Sequence, residues 1–169
     1  MKRTLSILIV LLLCVSVFAG CAKPDPSNAN CQIMSDELST DMLKASFLKE
    51  NRTSGAYYEG DVALEGNDIP KSRTFIIKTQ DEYDTIFENT ASVDVDFSSE
   101  LLVLYAFTTE YHRDISLDDW KVEGKTISIT YEMKDPSKNV GDAARPFQRF
   151  LLIKMNKLDI DSAEITKNK

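Results

Sequence analysis

Hydrophobic positions in this chain fall into one long block, a polar interval, and then a series of short patterned runs. The block covers residues 5–18 and is nearly unbroken. It is shorter than the ~20 residues that span a bilayer, so it does not predict a permanent transmembrane helix. Residues 22–30 (AKPDPSNAN) hold two prolines, two asparagines and a serine but no large apolar side chain. Such a segment cannot bury a core, and it predicts a flexible tether over residues 21–33. Globular patterning begins near Ile33, giving a single domain over 34–169.

Residues 36–50 carry two patterns at once. Ser35 before Asp36 and Glu37 resembles a helix start, with Leu38, Met42, Ala45 and Lys49 at helical spacing. Leu43, Ala45 and Phe47 alternate with Lys44 and Ser46, which suits a strand, and we read a strand over 42–50. Residues 51–55 are turn-like, and 57–64 suit a short strand before a loop marked by Gly66, Asn67, Asp68 and Pro70. Residues 73–79 (RTFIIKT) are β-branched and aromatic, hence a strand. At its end Thr79 and Glu82 have the spacing of a capping box, opening a helix with Tyr83, Ile86 and Phe87 on one face. The run 101–107 (LLVLYAF) is apolar at every position, as a strand covered on both faces would be.

Residues 120–123 and 126–133, joined by Gly124-Lys125, predict a hairpin in which Ile127, Ile129 and Tyr131 point inward. A loop then runs from Asp135 to Pro146, followed by a strand at 150–155 and an edge strand at 163–166. One principal helix among five to seven strands, without βαβ alternation, predicts an α+β domain built on a mainly antiparallel sheet.

The amino terminus adds location to this picture. Lys2 and Arg3 precede the apolar block, and Val17-Phe18-Ala19-Gly20-Cys21 closes it in the manner of a bacterial lipobox. Residues 1–20 are thus expected to leave as a signal peptide and Cys21 to be lipidated, placing the domain outside the cytoplasm on a cell membrane or envelope. Cleavage removes Lys2, Arg3 and Cys14. The remaining 18 basic and 27 acidic residues give a net charge of −9. Nucleic acid, whose binding depends on clustered Lys and Arg, is not an expected partner. Anchoring rests on acyl chains, at ~0.8 kcal/mol per buried CH₂. Cys31 is then the one thiol left, so no internal disulfide framework exists, and in a polar tether it is expected to be idle or to cross-link occasionally.

Candidate chemistry is sparse. His112 is the only histidine, so a zinc site would need carboxylates for its other ligands, and a Ser-His-Asp triad would lack a G-x-S-x-G elbow. The bland reading, a solvated loop histidine, is preferred. Residues 94–100 place oxygens at alternate positions, but Ser99 and Tyr105 stand where a calcium loop requires Gly and Glu. A turn with Phe97 plugging the core and Ser98 or Ser99 bonding backbone fits better. Asp118-Asp119-Trp120 has the composition of a sugar-binding cleft, yet adjacent residues of a strand point to opposite faces. In the loop 141–149, Arg145 and Arg149 bracket Phe147. They either pair with nearby carboxylates or offer a cationic, aromatic surface to a partner.

The order of features over residues 73–155 resembles the C-terminal domain of the protease complex subunit PrcB family. The resemblance lies in Phe75–Tyr83, in Val95-Asp96-Phe97-Ser98-Ser99-Glu100, in the apolar strand after it, and in Ala144-Arg145-Pro146-Phe147 before Phe150-Leu151-Leu152-Ile153-Lys154. Tyr83 stands where the family has Trp, and Thr108-Thr109-Glu110-Tyr111-His112 replaces a Gly-Gly-Tyr. The resemblance implies a non-catalytic extracytoplasmic module that associates with another protein. The expected contact residues are Tyr111, Arg145, Phe147 and Arg149, on the 108–114 and 141–149 loops. No catalytic residue, metal or cofactor is expected. The alternative is a small-ligand or glycan receptor built on Trp120 with Asp118 or Asp119.

Overall fold

A computed structural model describes residues 29–57, 63, 66, 68–134, 143 and 145–168. Its strands are β1 (Gln32–Ser35), β2 (Ser72–Ile77), β3 (Glu100–Thr109), β4 (Ile115–Glu123), β5 (Thr126–Met133), β6 (Phe147–Asn156) and β7 (Ser162–Lys167). Among the described residues two helices, α1 (Ala45–Glu50) and α2 (Gln80–Ile86), accompany a 3₁₀ turn at Thr40–Met42. The fold is α+β and dominated by its sheets, as patterning predicts. The strands form two sheets, ordered β1-β6-β3-β2 and β4-β5-β7. All pairings are antiparallel except β5 with β7.

Strand β3 explains the layering. Its odd positions, Leu101, Val103, Tyr105 and Phe107, face the second sheet and pack with Ile127, Ile129, Leu151 and Ile153. Its even positions, Leu102, Leu104 and Ala106, face the helices and pack with Leu43, Phe47, Tyr83 and Phe87. A strand between two cores has no wet face, which accounts for the uninterrupted apolar run.

Helix α2 forms where predicted, with one adjustment to its cap. The Glu82 amide donates to Thr79 Oγ1 at 3.2 Å, while Glu82 Oε2 accepts from the amide of Lys78, one residue earlier than a capping box requires. Tyr83 and Phe87 stack at 4.2 Å on the core side.

Residues 42–50 correct the strand reading. Only Leu43 is bridged, to Phe87, and Lys44 is the extended N-cap of a helix. A strand would have turned Ala45 inward with Leu43 and Phe47. In the helix Ala45 is exposed, and Phe47 meets Phe75 edge-on at 5.0 Å. Asp36 and Glu37 begin no helix, because β1 ends at Ser35 and their carboxylates are used elsewhere. The folded body also begins earlier than composition suggests. Ala29 is fully buried, its carbonyl accepts from the Asn156 amide at 2.9 Å, and β1 occupies part of the stretch read as tether. Within the predicted strand 57–64, Tyr57 bridges Ala63, and 58–62 and 64 lie outside the described residues.

Candidate functional site

One pole of the sandwich gathers the ends of β3, β5 and β7, the starts of β4 and β6, and residues 36–37. At its centre lies Arg149, which is 2 % exposed. Its Nε donates to the Asp36 carbonyl at 2.8 Å, and its Nη1 to the carbonyls of Arg113 at 2.7 Å and Tyr111 at 3.1 Å. Nη2 lies 3.4 Å from Asp36 Oδ2, which also accepts from the Ile115 amide. A guanidinium offers five donors in a fixed fork, so one side chain fastens the 111–113 loop to the end of β1.

This corrects the expectation for Arg149. The side chain is a buried fastener, not contact surface. Pairing with nearby carboxylates, the other reading of this loop, describes it: Glu37 Oε2 lies 3.8 Å from Nε.

The other three expected contact residues reach the surface. Tyr111 is half-buried, with the Arg113 guanidinium 4.2 Å and the Lys167 ammonium 5.5 Å from its ring centre. Phe147 stacks on the exposed His112 ring at 4.2 Å, and His112 Nδ1 lies 2.9 Å from Glu37 Oε1. Arg145 is exposed, 5.2 Å from the Tyr57 ring centre. Residues 141, 142 and 144 of this loop lie outside the described residues.

Beside Tyr111 runs a groove of about 360 Å³, floored by Phe107, Tyr131 and Met133 and edged by Glu110, Pro146 and Lys167. Its tyrosine floor is part of the inter-sheet core, where Phe107 lies 6.0 Å from Tyr131 and stacks on Tyr105 at 4.9 Å. Burial pushes the phenols of Tyr105 and Tyr131 above the ordinary range, so both stay protonated and hydrogen-bond one another. The Lys167 ammonium and Glu110 carboxylate bring opposite charges to the rim of an aromatic trough. Lys167 and Met133 carry no sequence signal for this role, because topology alone brings the ends of β5 and β7 to the groove.

The remaining candidates resolve into structural parts. Asp96 Oδ1 accepts from the amide and hydroxyl of Ser98 at 2.9 and 2.7 Å, and Oδ2 from the Ser99 hydroxyl at 3.0 Å. These donors hold the Asp96 carboxyl below its usual range. The loop is an Asx turn with Phe97 packed on the helical core. Trp120 is half-buried against the inter-sheet core. A bulge separates Leu117 from Asp119, Asp118 Oδ2 accepts from Asn168 at 2.7 Å, and Asp119 Oδ1 accepts from the Trp120 amide at 2.8 Å. Cys31 departs from its expected place in a polar tether: it is half-buried against the inter-sheet core, and burial pushes its thiol up to about 12. A neutral thiol is a poor nucleophile. Among the described residues no group of three or more His, Cys, Asp or Glu side chains is placed to hold a metal ion. Cys21 lies outside the described residues. Comparison with protein-family models, curated proteins and solved structures finds no match to this chain.

Proposed function

We propose that this protein is a membrane-anchored extracytoplasmic lipoprotein, attached through lipid on Cys21, whose folded domain is a non-catalytic module accessory to another protein of the cell envelope. The PrcB-like order of motifs and the lipobox favour this reading. The observation that carries it is the Tyr111 groove, an aromatic trough with polar ends on loops held by the buried Arg149. Interface hot spots favour such anchors, with Tyr and Arg enriched and a polar rim around them. Rigid presentation lowers the ordering cost of binding. The glycan reading has less support, since Asp118 and Asp119 already accept hydrogen bonds from Asn168 and the Trp120 amide.

Chemical cross-linking on intact cells, followed by mass spectrometry, tests this function. The expected product joins a second protein to residues around Tyr111 and falls at least tenfold in a variant carrying both Met133→Asp and Lys167→Glu. An unchanged yield from the folded variant would overturn the assignment of this surface. Absence of acyl mass on the Cys21 peptide would overturn the anchor.

A further inference from the structure

Among the described residues the sandwich has four outer strands, and its two sides are finished differently. On one side β1 and β4 lie together, and each is broken by a register shift, between Ile33 and Ser35 and between Leu117 and Asp119. Exposed Asp118, Asp119, Lys121 and Glu123 add charge to the β4 edge. Bulges and charges of this kind keep a strand edge from pairing with another chain. On the other side β2 and β7 lie together, and both run in unbroken register, from Ser72 to Ile77 and from Ser162 to Lys167. Neither contains a proline.

Hydrogen bonding fixes which backbone groups these two edges leave open. The Thr108 amide donates to the Lys71 carbonyl at 3.3 Å, so Lys71, Arg73, Phe75 and Ile77 turn their peptide groups toward β3. Those of Ser72, Thr74 and Ile76 point outward. The Ser162 and Asn168 amides donate to the Lys125 and Tyr131 carbonyls at 3.2 and 2.7 Å, so Ala163, Ile165 and Lys167 turn their peptide groups outward from β7. Thr74, Ile76 and Ala163 line a cleft of about 410 Å³ between the edges. The two strands run in opposite directions. Lys78, after β2, pairs with Asp161, before β7, at 3.4 Å, while Ser72 and Lys167 both lie by Phe107. Counting from the Lys78–Asp161 pair places Ile76 level with Ala163, Thr74 with Ile165 and Ser72 with Lys167.

We propose that this side is the interface of a symmetric dimer in which β2 of each copy pairs antiparallel with β7 of the other. A single extended peptide would cover one edge and leave its neighbour open. A second copy offers two edges at the spacing of the two sheets. A two-fold axis along the strands, midway between the sheets, brings β2 into line with β7 of the second copy, opposite in direction and with no shift in level. Outward groups then meet outward groups: Ser72 with Lys167, Thr74 with Ile165 and Ile76 with Ala163 of the second copy.

Charge favours this pairing over β2 with β2. Residues 71–78 carry Lys71, Arg73 and Lys78 and no acid, whereas 161–167 carry Asp161 and Glu164 with Lys167. Two β2 strands together would set like charges side by side. In the β2–β7 pairing Arg73 lies diagonal to Glu164 of the second copy, a spacing that long side chains bridge. Each sheet then continues across the axis in the order β1-β6-β3-β2-β7-β5-β4. The axis also keeps both copies of Ala29 at one end, so two tethers can enter the same bilayer. The pairing itself does not depend on the Cys21 anchor.

The full chain, expressed in a bacterial host and extracted in mild detergent, is expected to sediment as a dimer. Thr74→Pro removes an outward N–H that β3 does not use, and a proline is tolerated on an edge strand. It is expected to weaken the dimer at least tenfold with an unchanged circular dichroism spectrum. Disulfide trapping in a Cys31→Ser background tests the register. Arg73 and Thr166 of the second copy form a non-hydrogen-bonded pair, with Cα atoms about 4.5 Å apart, close enough to link. Within one chain these side chains point to opposite outer faces, Arg73 with Phe75 toward the helices and Thr166 away from the inter-sheet core, so any bond joins two molecules. The chain carrying both Arg73→Cys and Thr166→Cys is expected to give a covalent dimer on mildly oxidised cells, at least tenfold above either single substitution or the Cys31→Ser parent. A monomer in detergent with no trapped dimer on cells overturns the proposal. A dimer unaffected by Thr74→Pro, or equal trapping by Arg73→Cys alone, overturns the edge pairing. Adducts of the Arg73→Cys chain with a different protein, in place of the dimer, overturn the second copy as occupant.

Discussion

Arg149 shows how much a single side chain carries. Three backbone carbonyls and the carboxylates of Asp36 and Glu37 converge on its guanidinium, in a buried position. Substituting Arg149→Ala leaves those acceptors without their donor. Asp36 is partly exposed, which discounts the electrostatic share, so a loss of about 2–4 kcal/mol is expected in urea unfolding. Arg149→Lys should recover less than half, because an ammonium cannot reproduce the fork. Asp96 provides a contrast at the surface. Its folded carboxyl lies below the ordinary 3.8, chiefly through the Ser98 hydroxyl and amide, so the turn stabilises the fold fully above that value. The contribution is lost as pH falls through the lower folded value. Carboxyl NMR titration should show a depressed Asp96 value in the native protein that moves back toward 3.8 in Ser98→Ala. No movement would mean the hydroxyl is not the cause. Neither role was fully legible beforehand. Asp96 sits in a recognisable turn sequence, whereas Arg149 resembles any other loop arginine until Asp36 is brought to it across more than a hundred residues.

Among the elements, those whose signal is local were readable. Strand β3 follows from an unbroken apolar run, the β4–β5 hairpin from alternation around Gly124-Lys125, and α2 from its cap and its Tyr83-Ile86-Phe87 face. Gly124 takes φ of +60°, the left-handed conformation a tight hairpin turn requires. The N-cap of α2 is its most exposed support, and Thr79→Ala should cost about 1 kcal/mol. Fluorescence-monitored denaturation checks this, and an unchanged midpoint would assign the helix start to the packing of Tyr83 and Phe87 alone. Elements whose identity depends on distant partners misled. Leu43-Lys44-Ala45-Ser46-Phe47 alternates like a strand, yet Leu43 has a bridge partner only at Phe87, and the helix that follows buries Phe47 while leaving Ala45 exposed. Strand β1 is short, and one of its positions is Cys31's neighbour Gln32, which is exposed. Its pairing with β6 defines it, not its composition.

Taken whole, the chain is woven rather than stacked. Strand β5 belongs to the second sheet, β6 to the first, and β7 returns to the second beside β5. The inter-sheet core draws on β3, β5, β6 and β7 together. Neither sheet can therefore melt alone, and near-UV and far-UV circular dichroism should report one coincident transition in urea. Separate midpoints would show that the sheets are independent. The candidate groove was half legible at this scale: its loops carried aromatic and basic residues that sequence could mark, but its floor and its Lys167 rim exist only because three strands end at the same pole.

Strand β1 finds its partner in β6, with Gln32 opposite Lys154, so the opening segment of the body must wait for residues made roughly 120 positions later. Synthesis therefore runs nearly to completion before the first sheet can close, and loop closure over such a span is slow. The β2–β3 and β4–β5 pairs can form earlier, but β1 and β3 are joined only through β6, so a chain ending before Phe147 would leave both of them without the strand that lies between them.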